Sequence, residues 1–276
     1  MISATTRLAA VIGSPVHHSL SPALHNAGFA ATGVDWVYTA FEVDPGKAGA
    51  ALDAMRVFGL GGLSVTMPHK EDVAALVDEL DHAAAALRSV NTVVPIGDGR
   101  LKGYSTDGEG FVASLNANDV DVRGRSVCVL GAGAAARAIV DALARAGATA
   151  VTVVNRSPER AEAAADLAGA IGAVGQPNVI PDNDIVVNAT SIGMGTTDLP
   201  CDTNLFHDRH VVADIVYHPR RTAWLAAADA RGAHTVEGLG MLVHQALLQA
   251  RLWTGVCADP GLLWAAAERE LALRGQ

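Results

Sequence analysis

The stretch Ser126-Val127-Cys128-Val129-Leu130-Gly131-Ala132-Gly133-Ala134-Ala135-Ala136-Arg137-Ala138 decides the fold. An unbroken apolar run closes on a glycine, and a glycine-alanine turn then opens an alanine-rich segment. That order reads as strand, tight turn, helix. Residues 131–136 spell G-x-G-x-x-A. Gly131 permits the sharp turn, Gly133 lets a pyrophosphate approach the backbone, and Ala136 is small enough for close packing of helix on strand. The helix start offers N–H groups and the positive end of its dipole to phosphate. Gly131, Ala132, Gly133, Ala134 and Ala135 are therefore candidate cofactor-binding residues. Glycine-rich turns also occur without ligands, so the weight falls on context: a second strand, at 150–155, completes a β-α-β unit.

The end of that second strand bears on the nucleotide. An acidic residue there would bond a ribose 2′-hydroxyl, but the chain has Asn155-Arg156-Ser157, with Arg160 one turn on. Two guanidinium groups suit a 2′-phosphate; the plainer alternative is a pair of solvated surface arginines. The expectation is an NADP-dependent oxidoreductase.

Outward from this unit the same alternation continues. Apolar runs at 7–13, 37–43 and 60–66 read as strands. The segment 21–33 reads as a helix with Ser21 as N-cap, Pro22 at its first position and Gly33 as its stop. Residues 91–95 and 99–105 read as a strand pair about Ile96-Gly97-Asp98-Gly99. Helices are expected at about 107–118, 239–253 and 260–273. Strands alternating with helices indicate parallel sheets covered on both faces. The length, 276 residues, favours two domains.

Composition narrows the classes further. Net charge is −9, from 20 basic and 29 acidic residues, and no Lys/Arg run stands out, which argues against nucleic acid as a partner. No apolar stretch approaches the roughly 20 residues of a membrane span. The N-terminus lacks a cleavable signal pattern, so a soluble cytoplasmic protein is expected. Cys128, Cys201 and Cys257 are widely spaced and odd in number, and read as buried reduced thiols. His17, His18 and His69 fall in two loops without a suitably spaced acidic ligand, so no metal is expected and His69 reads as solvent-facing.

Polar residues gather where the early strands end. His18-Ser19-Leu20-Ser21 follows the first strand, Ser64 to Lys70 closes the third, Asn91-Thr92 begins the next, and Ser105-Thr106-Asp107 ends the strand after it. In parallel α/β sheets such loops line the ligand crevice, and hydroxyls, amides, one Lys and one Asp suit a small hydroxylated acid. Reduction of a ketone needs an acid for the developing alkoxide. Lys70 can supply it if enclosure or a helix start lowers its pKa, with Asp107 setting its orientation and charge state. Taken singly, Lys70 also suits an exposed lysine at a helix start and Asp107 an N-capping aspartate.

Nine ordered segments carry a resemblance that spans nearly the whole chain: IGSPVHHSLSPALHN, GLSVTMPHK, SVNTVV, GYSTDGEGF, GAGAAARA, NRSPERA, VVNATSIGM, VADIVYHP and GLGMLVHQALLQARLWTG. Together they resemble the shikimate dehydrogenase family. The resemblance implies an N-terminal α/β substrate-binding domain, a Rossmann-type NADP-binding domain and an active-site cleft between them. The first domain would cover 1–106, completed by C-terminal helices within 238–276, and the second 107–237. Ser19 and Ser21 would hold the substrate carboxylate. Thr66, Asn91, Asp107 and Gln245 would bond its hydroxyls, and Lys70 and Asp107 would form the catalytic pair. Tyr217 would lie beside the substrate, Gly238 and Met241 near the nicotinamide, and Asn155, Arg156, Ser157 and Arg160 around the adenosine 2′-phosphate.

The family usually has Asn where Ser64 and Ser105 stand. Ser64 counts here as a substrate residue that is shorter than Asn, so that one substrate hydrogen bond is missing or bridged by water. The implied reaction is NADPH-dependent reduction of 3-dehydroshikimate to shikimate. Use of quinate or an amino analogue, and a non-catalytic NADP(H)-binding regulator on the same scaffold, stand as alternatives. Monomer and homodimer both remain open.

Overall fold

The computed structural model describes residues 2–274. By packing, the described chain divides into residues 2–106 together with 245–274, and residues 107–244.

The first unit begins with β1 (Arg7–Gly13), α1 (Ser21–Thr32), β2 (Trp36–Glu42), α2 (Ala48–Phe58), β3 (Gly62–Val65), α3 (Lys70–Leu76), β4 (Glu79–Leu80), α4 (His82–Leu87), β5 (Thr92–Pro95) and β6 (Leu101–Tyr104). Its sheet has the order β2-β1-β3-β5-β6-β4. β1 runs parallel to β2 and β3, whereas β5 runs antiparallel to β3 and β6. The sheet is therefore mixed: the strand pair expected about Ile96-Gly97-Asp98-Gly99 is present as β5 and β6, and the parallel pairing expected where strands alternate with helices stops at β3. β5 and β6 are joined by a tight turn in which Gly97, Asp98 and Gly99 all take positive φ and Ile96 N–H donates to Arg100 O at 3.0 Å.

Both faces of this sheet are covered, which is why β1 reads as continuous apolar sequence. Ala10 and Ile12 pack with Leu52, Met55, Leu63, Val65 and Val93 on one face, and Ala9 and Val11 with Phe29, Tyr38 and Trp253 on the other. Gly62 leaves the space that the Trp253 ring fills, since a Cβ there would lie 2.4 Å from the indole. Truncating a buried Trp of this kind costs about 3–5 kcal/mol. α1 departs from expectation at its start: Leu20 is the N-cap residue and Ser21 is already helical, while Gly33, at φ 69°, ends the helix.

The second unit comprises α5 (Asp107–Ala117), β7 (Ser126–Leu130), α6 (Ala134–Arg145), β8 (Ala150–Val154), α7 (Pro158–Ala165), β9 (Gly172–Val174), β10 (Ile185–Asn188), β11 (Val211–Asp214), α8 (Ala223–Asp229) and β12 (His234–Val236). The sheet order is β12-β11-β10-β7-β8-β9, with every pairing parallel. Val127, Val129, Val151, Val153, Ile185 and Val187 face Phe111, Leu115, Ile139 and Leu143 from α5 and α6. Cys128, Leu130, Val186 and Val212 face Trp224 and Leu225 from α8. α9 (Gly238–Thr254) and α10 (Pro260–Leu273) close the chain. α9 is one continuous helix, and the packing division falls inside it, after His244, rather than at the expected 238.

Candidate active site and dinucleotide turn

Parallel β1 and β3 bring both of their carboxyl ends to one edge of the first sheet. The two loops that leave them are zipped together: Ser14 N–H donates to Met67 O at 3.0 Å, and Thr66 N–H to Ile12 O at 2.9 Å. Gly13 makes this possible, because a Cβ there would sit 2.4 Å from Thr66 Cγ2. The reversed β5 starts where β3 ends, with Thr92 opposite both Ser64 and Tyr104. Ser19, Ser21, Ser64, Thr66, Lys70, Asn91 and Thr106 therefore share this edge. Ser21 is buried, and its N–H donates to Ser19 Oγ at 3.2 Å, which holds the Ser19 side chain against the start of α1.

Lys70 is the half-buried first residue of α3. His69 before it is fully buried, not solvent-facing; its Nε2–H donates to Val43 O at 2.7 Å and anchors the start of α3 to the end of β2. Cys257 is likewise exposed rather than buried. Among the described residues, no three His, Cys, Asp or Glu side chains could hold a metal ion, and no helix is long and apolar enough to cross a membrane.

Behind the edge runs a buried hydrogen-bonded chain. Tyr38 O–H donates to Ser64 Oγ at 2.7 Å, and Ser64 O–H to Gln249 Oε1 at 2.8 Å. Gln249 Nε2 donates to Thr92 Oγ1 at 3.0 Å, and Thr92 O–H to Asn91 Oδ1 at 2.8 Å. Asn91 Nδ2 donates to Thr106 Oγ1 at 2.9 Å, and Thr106 N–H returns to Asn91 Oδ1 at 2.9 Å. Thr106 Oγ1 also lies 3.5 Å from the carbonyl oxygen of Gln245, itself buried. Burial pushes the Tyr38 phenol up, so it stays a donor, while Ser64 and Ser21 beside it act in the other direction. Burial lowers the His25 imidazole to about 4; its Nε2 lies 3.1 Å from Gln249 Oε1.

Sequence reasoning singled out Ser64 and Asn91 but passed over Tyr38, Gln249 and His25. Tyr38 sits inside an apolar strand, where an aromatic reads as core. The usable signal lay in Gln245 and Gln249, two amides four residues apart on one face of an otherwise apolar helix.

In the second unit, β7 and β8 are parallel neighbours with Leu130 opposite Val154, so Gly131 and Asn155 emerge at one edge. Gly131 has φ 112°, and a Cβ there would lie 2.8 Å from Ala189 O; only glycine turns here without strain. Gly133 caps α6 with no side-chain bond and has open space where a Cβ would be. That leaves the α6 N–H groups beside Ala134 and Ala135 open to an anion, so the turn fits a dinucleotide pyrophosphate. Ser157 caps α7 by accepting Arg160 N–H at 3.4 Å, and Asn155 Nδ2 donates to Ser157 O at 3.1 Å. Arg156 and Arg160 are exposed and, among the described residues, make no ion pair.

At the same edge, Asp214 ends β11. It accepts from Asn188 Nδ2 at 2.9 Å, Val216 N–H at 2.9 Å and Thr222 O–H at 2.8 Å. Burial raises its carboxyl to about 6, against the pull of these donors. The cluster ties down both ends of the loop that carries Tyr217. Gly238 starts α9 pressed against the backbone of Ile215 and Val216, where a Cβ would lie 2.6 Å away, and Met241 packs in the apolar core. Asp107 begins α5; the next residue, Gly108, lets α5 lie directly on the backbone at Ala138.

This is the plan of a dinucleotide-dependent oxidoreductase that keeps its substrate on a domain of its own. Residues 11–93 match the shikimate dehydrogenase substrate-binding domain, 113–194 the shikimate/quinate 5-dehydrogenase domain and 238–268 the shikimate 5′-dehydrogenase C-terminal domain. A shikimate dehydrogenase (NADP(+)) of Moorella thermoacetica is 43% identical over 266 residues, covering 92% of this chain and 90% of that one. The crystal structure of a shikimate dehydrogenase in complex with NADP+ matches with a TM-score of 0.93 at 35% identity, over 98% of this chain and 97% of the other. A shikimate 5-dehydrogenase from Thermus thermophilus, in complex with NADP(H) and shikimate, matches with a TM-score of 0.90 at 36% identity, over 96% of this chain and 99% of the other. The chain belongs to the shikimate dehydrogenase family.

Proposed function

We propose that the protein catalyses the reversible NADPH-dependent reduction of 3-dehydroshikimate to shikimate, an oxidation–reduction at a CH–OH carbon. The observation that carries this reading is the single sheet edge at which Ser19, Ser21, Ser64, Thr66, Lys70 and Asn91 gather, on the scaffold of a family whose relatives are named for the reaction. When bound, NADPH supplies the hydride.

The chain's own groups divide the remaining work. The paired hydroxyls of Ser19 and Ser21 receive the substrate carboxylate. Ser64, Thr66, Asn91 and Gln245 bond the ring hydroxyls, and Tyr217 lines the substrate's other side. Lys70 Nζ holds the proton that passes to the carbonyl oxygen during reduction and recovers it during oxidation. Asp107 orients Lys70 and receives a neighbouring hydroxyl, which requires the two units to bring these residues within hydrogen-bond reach. The turn from Gly131 to Ala135 holds the pyrophosphate. Asn155, Arg156, Ser157 and Arg160 hold the 2′-phosphate, and Gly238 and Met241 shape the nicotinamide end. Oxidation of NADPH on addition of 3-dehydroshikimate, followed beside an NADH control, tests the reading; absence of substrate-dependent oxidation with either cofactor overturns it.

Ser64 favours one second reading, a shifted ring specificity toward quinate or an amino analogue. Its hydroxyl donates to Gln249, so it offers a substrate less than the amide usual at this place. The ratio of kcat/KM for shikimate, quinate and aminoshikimate decides between the two.

A further inference from the structure

We propose that Gln249, which bonds Ser64 and the backbone of Asn91, is a positioning residue that makes Ser64 an obligate hydrogen-bond acceptor toward the substrate. The inference rests on the functional reading above and deepens it.

Donors and acceptors must balance in a buried chain. A carboxamide can be turned either way round, and its neighbours decide which end faces which. Here one neighbour settles the matter. Gln249 Nε2 lies 3.3 Å from the main-chain oxygen of Asn91, which can only accept. The NH2 group must therefore face Asn91 and Thr92, and Oε1 must face Ser64 and His25. An oxygen in that position cannot donate, so Ser64 must give its only hydrogen to Gln249. Tyr38 must then donate to Ser64, because the Ser64 hydroxyl has no second hydrogen to return. His25 must likewise carry its hydrogen on Nε2 to serve the same oxygen.

One lone pair of the Ser64 hydroxyl remains. It can receive a substrate hydroxyl but has nothing to offer a carbonyl or an ether at the same place. Gln249 is only 2% exposed, Ser64 5% and Tyr38 2%, so no bulk water competes to re-orient the chain. A site with fixed polarity rejects a ligand that lacks the matching group more strongly than one free to rotate, because a buried partner is left unpaired.

Two variants test this. Gln249→Met keeps length and volume but removes both ends of the amide, which frees the Ser64 hydrogen. Gln249→Glu keeps an acceptor facing Ser64 whether its carboxyl is protonated or ionised, and burial holds neutral both His25, which lies against it, and Tyr38, which reaches it through Ser64. For the Met variant, the shikimate KM is expected to rise about tenfold, the loss of roughly one hydrogen bond, with kcat within about threefold of wild type and the NADP KM unchanged. For the Glu variant, which keeps an acceptor toward Ser64 at any protonation state, the shikimate KM is expected to stay within about threefold of wild type. A Met variant with a lower melting temperature but an unchanged shikimate KM overturns the inference, as does a Glu variant whose shikimate KM rises as far as that of the Met variant. Absence of shikimate turnover by the wild-type protein overturns the functional reading and this inference with it; wild-type turnover with either variant result just named overturns the inference alone.

Discussion

The edges of the two sheets hold their buried polar groups in different ways. In the first unit, Tyr38, Ser64, Gln249, Thr92, Asn91 and Thr106 form a run of neutral groups, each satisfied by the next. In the second, one carboxylate, Asp214, collects Asn188, Thr222 and a main-chain N–H, while α6 starts after the glycine turn with no side-chain cap. A neutral chain fixes which groups donate and which accept, and suits a small hydroxylated molecule. An open helix start beside exposed arginines suits phosphate, which needs positive potential more than directional matching.

The largest expected break in this comparison is Lys70→Ala. It should lower kcat by about 10²–10⁴-fold while NADPH binding, a property of the second unit, stays as it was. Steady-state rates with a fluorescence titration of NADPH check both halves, and wild-type turnover would remove Lys70 from the chemistry.

The next effect is on stability, and its sign differs between the units. His25 has a folded pKa near 4, below its ordinary 6.5, so its contribution is complete above pH 6.5 and is lost as pH falls through about 4. Asp214 has a folded pKa near 6, above its ordinary 3.8, so its contribution is complete below pH 3.8 and is lost as pH rises through about 6. Each amounts to about 3 kcal/mol. Denaturant unfolding from pH 4 to pH 7 should therefore show His25→Phe removing an acid-side loss of stability and Asp214→Asn removing a neutral-side loss. Parallel pH profiles for the two variants would contradict the contrast.

Cofactor choice comes third. Replacing Arg156 and Arg160 together by Gln should raise the NADP KM by roughly 10–100-fold, the loss of charge-assisted bonds to a phosphate, and leave the NADH KM unchanged. An equal rise for both cofactors would move these arginines off the 2′-phosphate. Phe58→Ser should do least. Phe58 is 76% exposed at the end of α2, apart from both edges. Unfolding free energy should change by less than about 0.5 kcal/mol and both KM values should hold, which would show that the larger effects belong to the edges.

Much of this was legible along the chain. The run from Ser126 to Ala138 specified strand, turn and helix because the spacing of its glycines and alanines is set by backbone geometry alone, and Gly33 marked a helix stop by its left-handed backbone. β4, β9 and β12 were missed because strands of two or three residues at sheet edges carry no alternation to read. His69 looked solvent-facing because its neighbours are polar, yet it is buried because Val43, 26 residues earlier, presents a carbonyl to it.

By itself, the sequence determined the Rossmann-type unit, the arginines at its second strand and the polar clusters at the ends of the early strands, since these depend on contacts within a few residues. Only the tertiary structure decided that the first sheet is mixed, which brings Asn91 at the start of a strand to the same edge as Ser64 and Lys70. It also decided that Gln249, 185 residues from Ser64, governs which way that serine's hydrogen points. The physical reason is that hydrogen-bond polarity belongs to a closed set of partners, and such a set exists only once strands distant in sequence have paired.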